Sequence, residues 1–113
     1  MTDSYKELTT DISKYIGELR AAEPDSMAAF SQLAKSATAE GELDVKTKEL
    51  IALAIGVAVR CDGCIGFHAK TLVRLGATRG ELTETLGMSV YMGGGPSLMY
   101  AANALKAYDE FSE

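Results

Sequence analysis

The sequence predicts an all-α fold of about six helices, in one domain that spans residues 1–113. Apolar residues recur at steps of three and four, which is the spacing of one helix face, and no stretch alternates apolar and polar residues as a half-buried strand does. Glycines and prolines divide the chain into segments of helical length, and Ser, Asp or Thr stands where several of these segments begin. The chain length is ordinary for one domain with its own core.

The first two helices are predicted from a capping signal and a proline. Ser4 and Glu7 have the spacing of a capping box, so the first helix should start near Ser4 and end near Ala22, just before Pro24. The second helix is expected over about 25–38. Its inward face should carry four apolar residues: Met27, Phe30, Leu33 and Ala34.

The third and fourth helices flank a glycine-containing corner. Asp44 is a suitable N-cap for a third helix over about 45–60, which is apolar on every side along 50–59 and should therefore be surrounded by protein. The fourth helix carries His68 and should stop at Gly76, a residue suited to a left-handed C-cap.

Two further helices complete the chain. Thr78 and Glu81 form a second predicted capping box, which opens a fifth helix to about Tyr91. The run Gly93–Pro96 interrupts the pattern, and its proline suits the first turn of a sixth helix to about Phe111. This glycine run lacks the lysine and the preceding strand of a phosphate loop, so we interpret it as a tight turn.

Composition restricts the functions that are compatible with the chain. The net charge of −5 argues against a nucleic-acid partner. The longest apolar stretch runs from Leu50 to Val59, about half of what a membrane-spanning helix requires, and the first thirty residues contain no secretory signal. We therefore expect a protein of the cytoplasm with no membrane association. In that reducing compartment, a cysteine pair at short spacing is more often catalytic or metal-binding than structural.

The chain places its two cysteines and its single histidine within eight positions, as Cys61, Cys64 and His68. If the fourth helix starts inside this segment, Cys64 lies in its first turn, where unpaired N–H groups and the helix dipole favour a thiolate. His68 is four residues further on, on the same helix face, and Cys61 is close enough to attack an oxidised sulfur at Cys64. The spacing thus outlines a nucleophile, a resolving thiol and a base.

Other interpretations of the three residues remain. A thioredoxin-type site needs a strand before its helix, and a c-type haem needs histidine directly after the second cysteine, so neither fits. Zinc could take Cys61, Cys64 and His68 with a carboxylate as fourth ligand, although structural zinc sites usually use two separated ligand pairs. The cysteines and the histidine could also be ordinary core residues.

The wider pattern resembles a known family. Glu49 stands twelve residues before Cys61, the run Cys61–His68 follows, and Leu75–Leu82 reads Leu-Gly-Ala-Thr-x-x-Glu-Leu. Together these segments resemble the alkylhydroperoxidase D-like branch of the carboxymuconolactone decarboxylase family, over about residues 25–108. The resemblance implies an all-helical fold and assembly into homotrimers or homohexamers.

The resemblance also implies a chemistry without metal or organic cofactor. Cys64 would attack a small hydroperoxide, Cys61 would resolve the sulfenic acid to a disulfide, and an unidentified dithiol protein would reduce it. Glu49 and His68 would form the proton relay. The well-studied peroxidases have a histidine where this chain has Gly63. Two alternatives are a lactone-decarboxylating lyase, whose branch generally lacks the cysteine pair, and a zinc- or redox-sensing assembly protein.

The position of Glu49 makes a geometric demand. Twelve helical residues rise about 18 Å, so Glu49 cannot reach Cys61 along one straight helix. A relay requires that the fourth helix folds back beside the third, that the helix bends, or that a neighbouring subunit supplies the carboxylate.

Overall fold

A computed structural model describes residues 4–113 and shows six α-helices with no strand in that range, which confirms the all-α prediction. The helices are α1 (Tyr5–Ala22), α2 (Pro24–Ala37), α3 (Val45–Ala58), α4 (Asp62–Arg74), α5 (Arg79–Gly93) and α6 (Gly95–Phe111). None of them is long and apolar enough to cross a membrane.

The predicted helix starts follow the capping residues closely. The side chain of Ser4 accepts a hydrogen bond from the Glu7 N–H, and Asp44 caps α3 through the Thr47 N–H. The Thr78–Glu81 capping box is complete, with both reciprocal hydrogen bonds formed. These local signals fix boundaries because each one satisfies N–H groups that have no partner inside the helix.

The core lies where α4 packs against both α3 and α6, with α5 closing the far side. Its largest fully buried side chains come from α1, α3, α4 and α5 and are Tyr5, Leu53, Val57, Ile65, Leu72 and Leu82. Small residues on α6 (Ala101, Ala104 and Ala107) allow that helix to approach α4 and α5 closely. The core therefore surrounds α4, the helix that begins at the two cysteines.

The prediction that one face of the second helix is buried is wrong for the single chain. Phe30 and Leu33 are 66% and 62% exposed, Ala34 is also exposed, and α2 has no buried residue. The physical reason is that α2 packs only against α1, so its apolar stripe has no second neighbour to cover it. A helical period shows that a stripe exists but does not show what lies against it.

The third helix ends at Ala58, close to the predicted end, but departs from prediction on one face. Leu53 and Val57 are buried in the core as expected, whereas Ile51 and Ile55 on the opposite side are exposed. Within one chain, α3 is therefore only half surrounded.

Candidate functional site

The corner between α3 and α4 turns the chain back on itself. Arg60 is exposed and has φ 61°, the left-handed conformation that permits a sharp reversal and is uncommon outside glycine. After the corner, α4 runs back alongside α3. Gly56 makes this approach possible, because a Cβ at that position would lie 3.1 Å from Cys64 Cβ. The fold thus adopts the first of the three arrangements that the position of Glu49 allowed.

Cys61 and Cys64 form a disulfide at the amino-terminal end of α4, with their Cα atoms 5.2 Å apart. Cys61 is the N-cap residue of the helix, and its Sγ accepts the Cys64 N–H at 3.2 Å. The sulfur therefore occupies the position that a capping oxygen usually takes. An anionic sulfur at this helix end would be stabilised by the same N–H groups and by the helix dipole.

Glu49 and His68 are brought together by the same reversal. Glu49 Oε1 lies 2.7 Å from His68 Nδ1, although the residues are nineteen positions apart. Glu49 is 6% exposed, and the side chain of His68 is 31% exposed. A carboxylate at Nδ1 fixes the orientation of the imidazole and leaves Nε2 to exchange protons.

The four residues predicted from the sequence thus lie on one helical hairpin, in two pairs. The sulfurs are joined to each other, and the acid–base pair is joined across the two helices. Cys64 and His68 are four residues apart on α4 and share its face. The arrangement places the Glu49–His68 pair one helical turn from the disulfide.

Sequence reasoning missed the role of Tyr5. This side chain is fully buried, and its hydroxyl donates a hydrogen bond to Asp62 Oδ1 at 2.7 Å. Asp62 stands between the two cysteines in the sequence. Burial, together with the hydrogen bond to Asp62, raises the pKa of the Tyr5 phenol well above its ordinary value of 10.0, so the hydroxyl keeps its proton into the alkaline range where a free phenol loses it. No local pattern could reveal this contact, because Tyr5 and Asp62 are 57 positions apart.

The first helix also lies directly against the glycines of α4. A Cβ on Gly63 would lie 3.0 Å from Ile12 Cδ1, and one on Gly66 would lie 2.7 Å from Thr9 Cγ2. A side chain at position 63 would therefore meet α1.

The residues described contain no group of three His, Cys, Asp or Glu side chains arranged to hold a metal ion. The carboxylate partner of His68 is already hydrogen-bonded to it. An apolar groove of about 450 Å³ lies between α3 and α5, lined by residues that include Ile51, Ile55, Met88 and Met92. None of the four predicted site residues lines that groove.

Fold and site together define an all-helical domain with a Cys-x-x-Cys disulfide at a helix start, next to a Glu–His pair. Residues 24–107 match the model of one family, so α1 lies outside the matched region. The chain belongs to the carboxymuconolactone decarboxylase family.

Solved structures agree with this assignment. A family member of Legionella pneumophila, crystallised in its apo form, is 59% identical and superposes with a TM-score of 0.97, over 99% of this chain and 100% of that one. A family member of Thermotoga maritima is 28% identical, with a TM-score of 0.81 over 90% and 87% of the two chains. An uncharacterized protein of Cupriavidus necator is 43% identical over 96% of both chains.

Proposed function

We propose that this protein is a thiol-dependent oxidoreductase of the alkylhydroperoxidase type, which reduces small hydroperoxides by cycling Cys61 and Cys64 between dithiol and disulfide. The observation that carries the proposal is the placement of the Glu49–His68 pair one turn along α4 from a disulfide-forming cysteine pair. Membership of the carboxymuconolactone decarboxylase family supports it. So does the antioxidative role that has been suggested for the Thermotoga maritima relative.

The reaction begins with the thiolate of Cys64. The sulfur attacks the terminal oxygen of the hydroperoxide, the O–O bond breaks, and the alkoxide leaves with a proton delivered through His68 and Glu49. Sulfur is oxidised to sulfenic acid, and the peroxide is reduced to an alcohol. The thiol of Cys61 then attacks the sulfenic sulfur, which releases water and forms the disulfide.

The cycle closes by thiol–disulfide exchange with a dithiol protein. The partner's two thiols are oxidised to a disulfide as Cys61 and Cys64 are reduced, so one hydroperoxide and one dithiol yield alcohol, water and a disulfide. The cytoplasm, which supplies such dithiols, is the compartment we assign to this activity.

The roles of the two sulfurs follow from their positions relative to His68, the proposed base. Cys64 shares a helix face with His68, so the proton of its thiol and that of the leaving group have a nearby acceptor and donor. Cys61 belongs to the corner between the helices, and its sulfur lies over the end of α4, where it can reach an oxidised Cys64. We therefore assign Cys64 as the attacking thiol and Cys61 as the resolving one.

Thiol titration before and after one equivalent of hydroperoxide tests the function. The parent protein should lose two thiols, whereas Cys61→Ser should stop at a sulfenic acid that a dimedone-type probe traps on Cys64. A trap that appears only in Cys64→Ser would reverse the two roles. An unchanged thiol count would overturn the activity, as would zinc bound stoichiometrically through both thiols in freshly purified protein.

The exposed apolar faces support self-association, and the family resemblance implies that the assembly is a homotrimer or a homohexamer. Phe30 and Leu33 on α2 are exposed within the chain, and so are Ile51 and Ile55 on α3. Large apolar surfaces on separate helices usually mark an interface. Light scattering should give a mass of three or six protomers, and Ile55→Glu should lower it. A monomer at micromolar concentration would contradict the assembly.

A further inference from the structure

We propose that Tyr5 is a positioning residue of the cysteine site: its hydroxyl holds the Asp62 carboxylate and so keeps the N–H groups at the start of α4 available to sulfur. The proposal rests on the proposed function insofar as it concerns the same two cysteines. It adds a contribution from α1, a helix that lies outside the region matched by the family model.

Tyr5 is held by hydrogen bonds from its backbone N–H and from its side-chain hydroxyl. Its backbone N–H donates to Glu110 Oε1 at 2.9 Å, which joins the start of α1 to the end of α6. Its hydroxyl donates to Asp62 Oδ1 at 2.7 Å. Glu110 and Tyr100 are the other titratable groups whose charge acts on the phenol. A fully buried ring with both contacts made has little freedom to turn away from Asp62.

The position of the Asp62 carboxylate is what the Tyr5 hydroxyl fixes. It is the first residue of α4 and stands between the cysteines. A carboxylate in a first helical turn is attracted to the unpaired N–H groups there. In this structure Cys61 Sγ accepts one of them, from Cys64, while the Asp62 carboxylate accepts the Tyr5 hydroxyl. Carboxylate and sulfur would otherwise compete for the same donors.

Movement of the Asp62 carboxylate away from Tyr5 should lower the reactivity of the cysteines. If the Asp62 carboxylate turns toward the helix end, a second negative charge approaches the sulfurs and the thiolate fraction falls. The close contacts of α1 with Gly63 and Gly66 keep Tyr5 on α4 and oppose that movement. Tyr5 thus acts on the sulfurs only through Asp62.

Alkylation of the reduced protein by iodoacetamide measures the thiolate directly. We expect Tyr5→Phe to move the midpoint of the pH–rate profile upward by about half to one pH unit, which slows alkylation at neutral pH roughly threefold to tenfold. Adding Asp62→Asn to that variant should return the rate to the parent value or above. In the parent background, where the Tyr5 hydroxyl already holds the carboxylate, Asp62→Asn should change the rate less than it does in the Tyr5→Phe background.

Tyr108→Phe is the matched control. The Tyr108 hydroxyl donates to Ala77 O at 2.8 Å, so the variant loses a comparable hydrogen bond in another part of the core. Its melting temperature should fall as that of Tyr5→Phe does, while its alkylation profile stays at the parent position.

Asp62→Glu tests the same contact without changing Tyr5. It keeps the charge but adds one methylene, which displaces the carboxylate from the hydroxyl, so alkylation should slow as in Tyr5→Phe. Parent-like profiles in Asp62→Glu and in any folded Tyr5→Phe would overturn the proposal, as would equal slowing in Tyr108→Phe. These measurements use no peroxide, so their result does not depend on whether the protein has peroxidase activity.

Discussion

Replacing Gly56 by alanine tests how closely α3 and α4 approach at the disulfide. The added Cβ would lie 3.1 Å from Cys64 Cβ and 3.9 Å from the Cys64 carbonyl carbon. Because Cβ is fixed to the backbone, it cannot rotate away, and the two helices must move apart. Overpacking of this kind costs about 1–3 kcal/mol.

Gly87 provides the matched control on α5. An added Cβ there would meet nothing within 4 Å. Alanine in place of glycine in a helix interior contributes roughly 0.5–1 kcal/mol of stability. The same gain applies at Gly56, so the difference in unfolding free energy between the two variants isolates the overpacking, about 1–3 kcal/mol.

Urea and thermal unfolding of the oxidised proteins measure this difference. For a domain of this size, the melting temperature of Gly56→Ala should lie roughly 4–12 °C below that of Gly87→Ala. If the two variants were equally stable, Cys64 would not lie against α3, and the account of how the hairpin positions the cysteines would be refuted.

Three further predictions concern the relay, α1 and alkaline pH. Glu49→Gln removes the charge at His68 Nδ1, so peroxide-driven thiol loss in stopped flow should slow by roughly a hundredfold. Gly63→His should lower the unfolding free energy by about 1 kcal/mol, because its side chain must displace Ile12 Cδ1, 3.0 Å from the added Cβ, and Ile12→Ala should recover part of that loss. Above pH 10.0 the unfolded chain loses the Tyr5 proton while the folded state keeps it, so the unfolding free energy should fall as the pH rises. The fall should be steeper in the parent than in Tyr5→Phe, by up to about 1.4 kcal/mol for each pH unit.

Each of these has a control and a contrary outcome. Glu84→Gln, at an exposed carboxylate on α5, should leave peroxide reduction unchanged, and equal rates in both glutamine variants would count against the relay. A Gly63→His protein as stable as its parent would show that α1 does not cover that glycine. A Tyr5→Phe slope identical to that of the parent would remove Tyr5 as the cause of the alkaline loss of stability.

The sequence allowed the helices to be predicted well because their signals are local. Thr78 and Glu81 lie within one helical turn of each other, so the box they form depends on nothing elsewhere in the chain. The start of α4 within the cysteine segment was predicted correctly, but the predicted glycine corner was wrong, because the chain reverses at Arg60 and Gly63 lies inside the helix. Apolar faces were harder, because Phe30 has the right spacing but no neighbour in the chain to bury it.

The site could be predicted only in part. Spacing suggested that Cys61, Cys64 and His68 act together, but it left three arrangements open for Glu49. Tertiary packing selected one of them, through the reversal at Arg60 and the close approach at Gly56. The contact of Tyr5 could not be found at all, because its link to Asp62 depends on how α1 docks and has no signature in the residues near either partner.

The hairpin of α3 and α4 also has a consequence for how the protein folds. Glu49 and His68 are nineteen residues apart, and both cysteines lie between them in the chain, so the acid–base contact closes a short loop with a small entropic penalty. The Tyr5–Asp62 contact closes a loop of 57 residues and requires α1 to return to a preformed α4. We therefore expect the two cysteines to meet early in folding, so that oxidants and reductants can reach the newly made pair before α1 packs against the start of α4.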